Sequence, residues 1–469
     1  MTDALASGPA SPEVAAQLNA IVKAYDIRGL SPEQLNPEVS HRLGAAVARF
    51  LLDEDPTRTE MLVGRDMRPT GPALVDAFAE GAMAQGMSIV DLGLISTDML
   101  YFASGTEDLP GAVFTASHNP AGYNGIKCCR PGAAPIGQDS GLRQILGLAI
   151  TGVPAAESRG SRRAEDRLDD FVDHVHSFVD PSSFRPLKVI ADTANGMGGL
   201  VVPAVFASLP FDLEILYGEL DGSFPNHPAD PIQPENLVDL QARVTEAGAD
   251  IGLAFDGDAD RVFIVDELAQ PVSGSLTTAM VAASILDKNP GALVLYNLIC
   301  SRTVPEIVAE RGGTSQRTRV GHSFIKQQMK DTGAIFAGEH SGHYYFRDNY
   351  RADSGLITTM VVLELLSQAS APLSELRKPF DRYAASGEIN TRVDDQKAVM
   401  AAVADAYPDA DVDHLDGMTV DLGGWWFNLR PSNTEPLLRL NLEAKTAADV
   451  EAHVAAIRSL MGGTEDSGH

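Results

Sequence analysis

Short apolar runs alternate with segments of helical spacing along most of the chain. Residues 43–52 place apolar side chains at helical intervals, 61–64 form a compact apolar run that predicts a strand, 72–83 return to helical spacing, and 88–92 predict a second strand. Residues 111–115 predict a third strand, which runs into a polar turn over 116–123. Strand and helix in alternation predict α/β architecture. A charged stretch at 162–170 leads toward a helix and then a strand at 187–191. The glycine-rich turn at 195–199 lacks the spacing of a nucleotide-binding P-loop and by itself identifies no ligand. A long passage rich in Pro, Asp and Asn at 221–236 predicts a surface loop, followed by a helix and a strand at 250–255. The same order recurs in a strand at 292–296, a helix at 304–309 and a strand at 333–336, without an internal sequence repeat.

After the apolar helix at 356–366, the polar Arg377, Lys378 and Pro379 predict a boundary near 376–382. An Ala-rich helix at 396–407, an aromatic strand at 425–429 and a helix at 447–460 predict a smaller α+β domain, with 462–469 as a frayed tail.

At 469 residues the chain is long enough for several ordinary domains. Its 44% hydrophobic and 21% charged residues suit a folded protein rather than a disordered one. A net charge of −28, from 36 Lys plus Arg against 64 Asp plus Glu, opposes approach to a nucleic-acid backbone, so nucleic-acid binding is not expected. An anionic small substrate would need a locally positive cleft. No apolar run reaches the roughly 20 residues of a membrane span and no secretory leader is recognisable, which predicts a cytoplasmic protein without a membrane partner. Cys128, Cys129 and Cys300 have neither metal-site spacing nor the even number of a disulfide scaffold.

Four polar clusters carry candidate chemistry. Thr115-Ala116-Ser117-His118-Asn119-Pro120 puts a hydroxyl in a turn after an apolar strand, where an oxygen nucleophile is accessible, although a turn serine also caps backbone donors. Asp256-Gly257-Asp258-Ala259-Asp260-Arg261 alternates three carboxylates with small residues at a strand end. In a bent loop these oxygens converge on a hard divalent ion such as magnesium, while a plain acidic surface turn is the simpler alternative. Gly338-Glu339-His340-Ser341-Gly342-His343 offers donors and acceptors for sugar hydroxyls and lacks the zincin spacing. Arg430-Pro431-Ser432-Asn433-Thr434-Glu435-Pro436 combines a guanidinium with compact donors, suited to an oxyanion or simply to a turn.

Taken in order with Lys23-Ala24-Tyr25-Asp26-Ile27-Arg28-Gly29, these clusters resemble the alpha-D-phosphohexomutase family, in particular its bacterial phosphomannomutases and phosphomannomutase/phosphoglucomutases. The resemblance spans nearly the whole chain. It implies a four-domain α/β architecture around a central cleft: three related mixed α/β domains at 1–160, 161–265 and 266–378, and a C-terminal α+β domain at 379–469. It implies that Ser117 is the phosphoserine, that Asp256, Asp258 and Asp260 with Ser117 hold Mg2+, and that Glu339 and Ser341 recognise sugar hydroxyls. Arg430, Ser432, Asn433 and Thr434 would bind the distal phosphate, with Tyr25 also at the substrate. Arg28, His118, Lys127 and Arg261 would surround the reactive phosphate, Lys127 as a proton-transfer group or as a fixed charge, and His322 would have a supporting role. The implied reaction interconverts mannose 1-phosphate and mannose 6-phosphate through a hexose 1,6-bisphosphate, which also serves as activator. Hexose monophosphates are the implied partners, and both monomer and homodimer stay open.

Three positions depart from the family pattern and bear on specificity: Asp98 follows Thr97 where proline is common, His340 stands between Glu339 and Ser341 where methionine is common, and Ile299 replaces a lysine. Glucose phosphate or glucosamine phosphate preference therefore remain as alternatives, as does a sugar-phosphate-binding protein without turnover.

Overall fold

The structure, a computed structural model, describes residues 8–432 and 437–465. The chain divides into two compact units, the first comprising Met1–Ser273, Gly321–Ala337 and Ser341–Leu376, the second Gly274–Val320, Gly338–His340 and Arg377–His469.

The first unit contains two mixed sheets of related topology. In one, the strands Gly111–Phe114, Glu60–Arg65, Ser88–Leu94 and Arg162–Ala164 run parallel to their neighbours, while Tyr123–Arg130 and then Ile27–Leu30 add antiparallel on the other side. Gly111–Phe114 is buried throughout and Glu60–Arg65 through its four middle residues, the pattern of strands covered on both faces. In the other sheet, Ile251–Phe255, Lys188–Asp192 and Asp212–Leu216 are parallel, and Val262–Asp266 returns antiparallel beside Ile251–Phe255. Each sheet thus ends its parallel run in a hairpin. The turn of the first hairpin carries Ser117, and the turn of the second carries Asp256, Asp258 and Asp260.

Helices Pro37–Glu54 and Gly71–Ala84 pack against the first sheet through Leu43, Val47, Leu74 and Phe78. Asn36 caps the first of them, its side chain accepting from Val39 N at 3.1 Å. The two helices approach so closely that a Cβ at Gly44 would strike the Phe78 carbonyl and one at Gly81 the His41 carbonyl. Among the described residues no helix is long and apolar enough to cross a membrane.

In the second unit, helices Gly274–Lys288 and Thr303–Glu310 accompany the parallel strands Leu293–Asn297 and Thr314–Thr318. The C-terminal part is an antiparallel sheet in the order Asp411–Asp413, Met418–Asp421, Trp426–Pro431, Leu437–Ala444, Ala384–Arg392 and Thr464–Glu465. Helices Gln396–Asp405 and Ala447–Met461 cover it through Val403, Val450 and Ile457.

Several expectations need correction. The charged stretch at 162–170 does lead into the expected helix, Leu168–His176, but first adds an edge strand, Arg162–Ala164, because pairing with Ser88–Leu94 satisfies its backbone while its arginines stay in water. The strand expected at 333–336 lies at Phe336–Gly338, since Gly333 closes the helix His322–Thr332 in the left-handed conformation. Tyr123, expected to end the polar turn, instead begins a strand. Residues Thr464–Glu465 pair with Ala384–Arg392 where a frayed tail was expected, and 466–469 lie outside the described residues.

The helix crossing supplies a stability test. Gly81→Ala, forced against backbone that cannot swing aside, should cost about 1–3 kcal/mol. Gly147→Ala, in the helix Leu142–Thr151 with nothing within 4 Å of the added carbon, should be neutral or stabilise by about 0.4–1 kcal/mol. Denaturant unfolding of the two variants should show these opposite tendencies.

Candidate active site

After the buried strand Gly111–Phe114 the chain has to reverse to pair with Tyr123–Arg130. Ser117 takes the sharpest step of that reversal, with φ at 49°, in the left-handed region that few side chains occupy. Its N–H donates to Thr115 Oγ1 at 2.9 Å. Its hydroxyl, only 4% of the residue being exposed, donates to Asp256 Oδ2 at 2.7 Å and lies 3.2 Å from His118 Nδ1.

The acidic turn between Ile251–Phe255 and Val262–Asp266 is wound tightly enough that Ala259 adopts φ 61°. Asp256, Asp258 and Asp260 are all buried, and each offers an oxygen within 4.8 Å of the others. Two cations answer them. Lys127 Nζ lies 2.7 Å from both Asp258 Oδ2 and Asp260 Oδ2. Arg261 binds Asp256 twice, through its backbone N–H at 3.1 Å and its Nε at 3.0 Å. Thr97 adds a hydrogen bond from its hydroxyl to Asp258 Oδ2 at 2.6 Å.

These contacts split the carboxyl groups electrostatically. Burial pushes Asp256 up to about 7 despite Arg261 beside it. Burial also acts on Asp258, but Lys127 overcomes it and holds this carboxyl well below the usual range. Asp260 is raised by burial and by the Asp258 charge. Burial opposes the Lys127 charge, yet Asp258 and Asp260 together raise it well above its ordinary value, so it is held as an ammonium.

Asp258 Oδ1 and Asp260 Oδ1 are buried without a hydrogen-bond donor among the described residues. Unsatisfied buried carboxylate oxygens are costly, and an all-oxygen donor set suits a hard divalent cation such as Mg2+. The residues present therefore fit the expected metal.

Other expected residues gather around this pair of turns. Arg28 donates to Asn119 Oδ1 at 2.6 Å and pairs with Asp26 at 2.5 Å, placing it on the Ser117 turn. Burial, with Arg261 and Arg28 nearby, holds His118 well below the ordinary histidine value and hence neutral. Tyr25 packs edge-on against the His322 ring at 5.7 Å, and burial together with Lys326 keeps His322 neutral as well. Asp98, the departure from the family pattern, is fully buried near the start of the helix Thr97–Glu107 and accepts from Ser96 and Ser354. It strengthens the same junction from which Thr97 reaches Asp258.

His343 stood in the third cluster without a role, yet it reaches this site. Its Nδ1 lies 2.8 Å from Asp353 Oδ2 and 3.8 Å from Asp260 Oδ1. Asp353 in turn meets the buried Lys326 at 2.9 Å, whose Nζ sits 3.6 Å from the centre of the Tyr101 ring. Nothing local in the sequence announces this chain of groups, because its members come from four separate segments. Ser341, in the same unit, is half-buried.

In the second unit, Glu339 is buried and accepts from Asn297 Nδ2 at 3.2 Å. Burial, with Arg430 contributing, pushes its neighbour His340 down to about 4. Arg430 lies directly across the strand pair from Arg439, and the two share Glu388 at 3.7 and 3.4 Å. Like charges opposite one another on a sheet repel, and one half-exposed carboxylate offsets them incompletely, so the pair is suited to an anion. Arg439 lies outside the expected motif and becomes visible only through strand register. Ser432 is half-buried, while Asn433 and Thr434 lie outside the described residues.

Comparison with known proteins gives the same four-part order. The chain matches phosphoglucomutase/phosphomannomutase alpha/beta/alpha domain I at residues 19–148, domain II at 169–269, domain III at 273–383 and the C-terminal domain at 388–460. It is 39% identical to "phosphohexose mutases" of Xanthomonas campestris, covering 94% of this chain and 99% of that protein. It is 39% identical to a phosphomannomutase of Vibrio cholerae, covering 90% of this chain and 94% of that one. A solved phosphoglucomutase/phosphomannomutase family protein from Burkholderia thailandensis superposes with TM-score 0.85 at 31% identity, over 96% of this chain and 99% of that one.

The carboxylate geometry predicts a metal-linked stability. Adding Mg2+ to chelator-treated protein should raise its unfolding midpoint, by an amount equivalent to about 2.7 kcal/mol at a hundredfold excess over Kd. Asp258→Asn should abolish most of that rise. Lys127→Met, which strands two buried carboxylates, should destabilise metal-free protein by about 3–5 kcal/mol and depend more strongly on Mg2+ than the parent.

Proposed function

The chain belongs to the phosphoglucomutase/phosphomannomutase family and is an intramolecular phosphotransferase, and from that premise we propose that it interconverts mannose 1-phosphate and mannose 6-phosphate, with glucose phosphates as second substrates. The observation that carries this reading is the Ser117 hydroxyl lying 2.7 Å from Asp256 in a buried turn of three carboxylates.

In this reading Ser117 rests as a phosphoserine. A hexose monophosphate binds with its free hydroxyl toward Ser117, and the phosphoryl group passes to that hydroxyl. The products of this half are a hexose 1,6-bisphosphate and free serine, the attacking hydroxyl's proton passing to a nearby base and a proton being supplied to the departing Ser117 oxygen. The bisphosphate then turns end for end, and the phosphoryl group on its other position returns to Ser117. Asp256, Asp258, Asp260 and an oxygen on Ser117 would hold Mg2+, which supplies charge neutralisation for the phosphoryl oxygens. Arg28 and Arg261 add positive charge on the same side, and His118 offers a neutral imidazole beside the hydroxyl. Lys127 contributes charge while Asp258 and Asp260 bind it. Proton exchange at Lys127 would require the charge of those two carboxylates to be offset, which Mg2+ held by them would supply.

Glu339 and Ser341 would hold the ring hydroxyls, with Tyr25 and His322 in support. Arg430, Ser432, Asn433 and Thr434 would hold the phosphate that is not reacting. The four-domain division at 1–160, 161–265, 266–378 and 379–469 belongs to this proposal and is supported by the ranges of the family matches. Preference for mannose is supported by relatives named phosphomannomutase. Mannose and glucose differ by one hydroxyl orientation, and such differences are worth about 1–3 kcal/mol to a binding site unless the hydroxyl is specifically paired.

Ser117→Ala should keep the parent unfolding midpoint and bind hexose phosphate while losing about a thousandfold or more in turnover. Labelled hexose 1,6-bisphosphate should leave covalent phosphate on the parent at Ser117 and none on the variant. Turnover near the parent level in the variant, or label on another residue, would exclude the mechanism. Product analysis should give a higher kcat/KM for mannose 1-phosphate than for glucose 1-phosphate, and a clear preference for glucosamine 1-phosphate would exclude the proposed substrate.

A further inference from the structure

We infer that Arg68, which lies outside all the motifs above, is the positioning residue of the Ser117 turn, an inference that rests on Ser117 being the phosphoryl carrier. Arg68 is among the largest side chains with no solvent exposure, and all five of its guanidinium N–H bonds have acceptors. Nε faces Asp66 Oδ2 at 3.3 Å. Nη1 donates to the carbonyls of Pro120 at 2.8 Å and Tyr123 at 2.9 Å. Nη2 donates to the carbonyls of Ser117 at 3.0 Å and Asn119 at 2.6 Å. Four of the five bonds therefore end on backbone carbonyls, three within the Ser117 turn and one on Tyr123, where the returning strand begins.

A tight reversal turns several peptide carbonyls inward, where each needs a donor. Guanidinium is the side-chain group whose planar donors reach four of them at once. The Ser117 carbonyl is boxed further by Gly257, where a Cβ would collide with it. Fixing that carbonyl fixes the peptide plane and, with φ at 49°, the direction of the Cα–Cβ bond that carries Oγ, which the hydrogen bond to Asp256 then orients. Arg68 is itself anchored. Asp66 donates its N–H to Phe114 O at 2.8 Å, accepts from Arg68 N at 2.9 Å, and hydrogen-bonds the Thr115 hydroxyl, which receives the Ser117 N–H. The Phe224 ring lies 5.1 Å from the guanidinium carbon, and Gly222 packs on the Arg68 backbone. The acceptor oxygen is thereby tied to the end of the central strand Glu60–Arg65. Ser117 has to return to one position after each transfer, and a displacement of about 1 Å at a reacting atom can cost about a hundredfold in rate.

The test compares full-length parent, Arg68→Lys and the charge-balanced double variant Asp66→Asn/Arg68→Met, which avoids stranding a buried carboxylate. Each is first shown to unfold cooperatively. We expect kcat to fall at least thirtyfold in the double variant with KM for hexose phosphate within threefold of the parent. Arg68→Lys should recover part of kcat, since three ammonium donors cannot serve four carbonyls. Phosphorylation of Ser117 by labelled hexose 1,6-bisphosphate should slow in parallel, and amide exchange should rise over residues 116–124 while the strand Glu60–Arg65 stays protected. Parent-like kcat and Ser117 labelling in both folded variants would overturn the inference, as would equal falls in kcat and rises in KM with no localised change in exchange. Failure of the parent itself to carry label on Ser117 would instead overturn the mutase mechanism, so the two failures are distinguishable.

Discussion

Asp256, Asp258 and Asp260 occupy one buried turn, and their mutual repulsion is the constraint around which much of the first unit is arranged. Unpaired, such charges would neutralise themselves or unfold the turn. Lys127 spans Asp258 and Asp260, Arg261 holds Asp256, and Thr97 donates to Asp258, while two oxygens are left over. The protein thus stops short of full compensation. That shortfall leaves a donor set that would suit an oxygen-seeking cation, and burial separately raises Asp256 to about 7 beside the serine hydroxyl.

The two sheets of the first unit solve the placement problem in the same way. Each ends a parallel run of strands in a hairpin, and each puts its candidate site groups in the turn that joins the hairpin's two strands. Gly257 lets the two turns meet, since any side chain there would strike the Ser117 carbonyl. The glycine-rich turn that follows Lys188–Asp192 has a supporting part in this, with Met197 N–H donating to Gly257 O at 2.9 Å. Its glycines provide close backbone approach rather than a phosphate cradle.

Hydrophobic periodicity marked most helices and buried strands, because burying one face imposes a period that survives in the sequence. It misplaced elements whose backbone needs were met by a neighbour. Arg162–Ala164 became a strand only because Ser88–Leu94 offered a free edge, and Phe336–Gly338 shifted because Gly333 was needed to close a helix. Motif chemistry likewise singled out Ser117, the three aspartates, Glu339 and Arg430 as candidates, each of which sits in a local cluster of unusual composition.

What the sequence determined by itself was the α/β class, the order of the parts and the groups that lie together along the chain. Tertiary structure alone decided which distant residues complete them: Lys127 between Asp258 and Asp260, Asp353 and Lys326 behind His343, Arg439 across from Arg430, and Arg68 beneath the Ser117 turn. A buried arginine or lysine has the same letter as a solvated one. Its partners are chosen by sheet register and by how closely two turns pack, and neither quantity is written in any one segment of the chain.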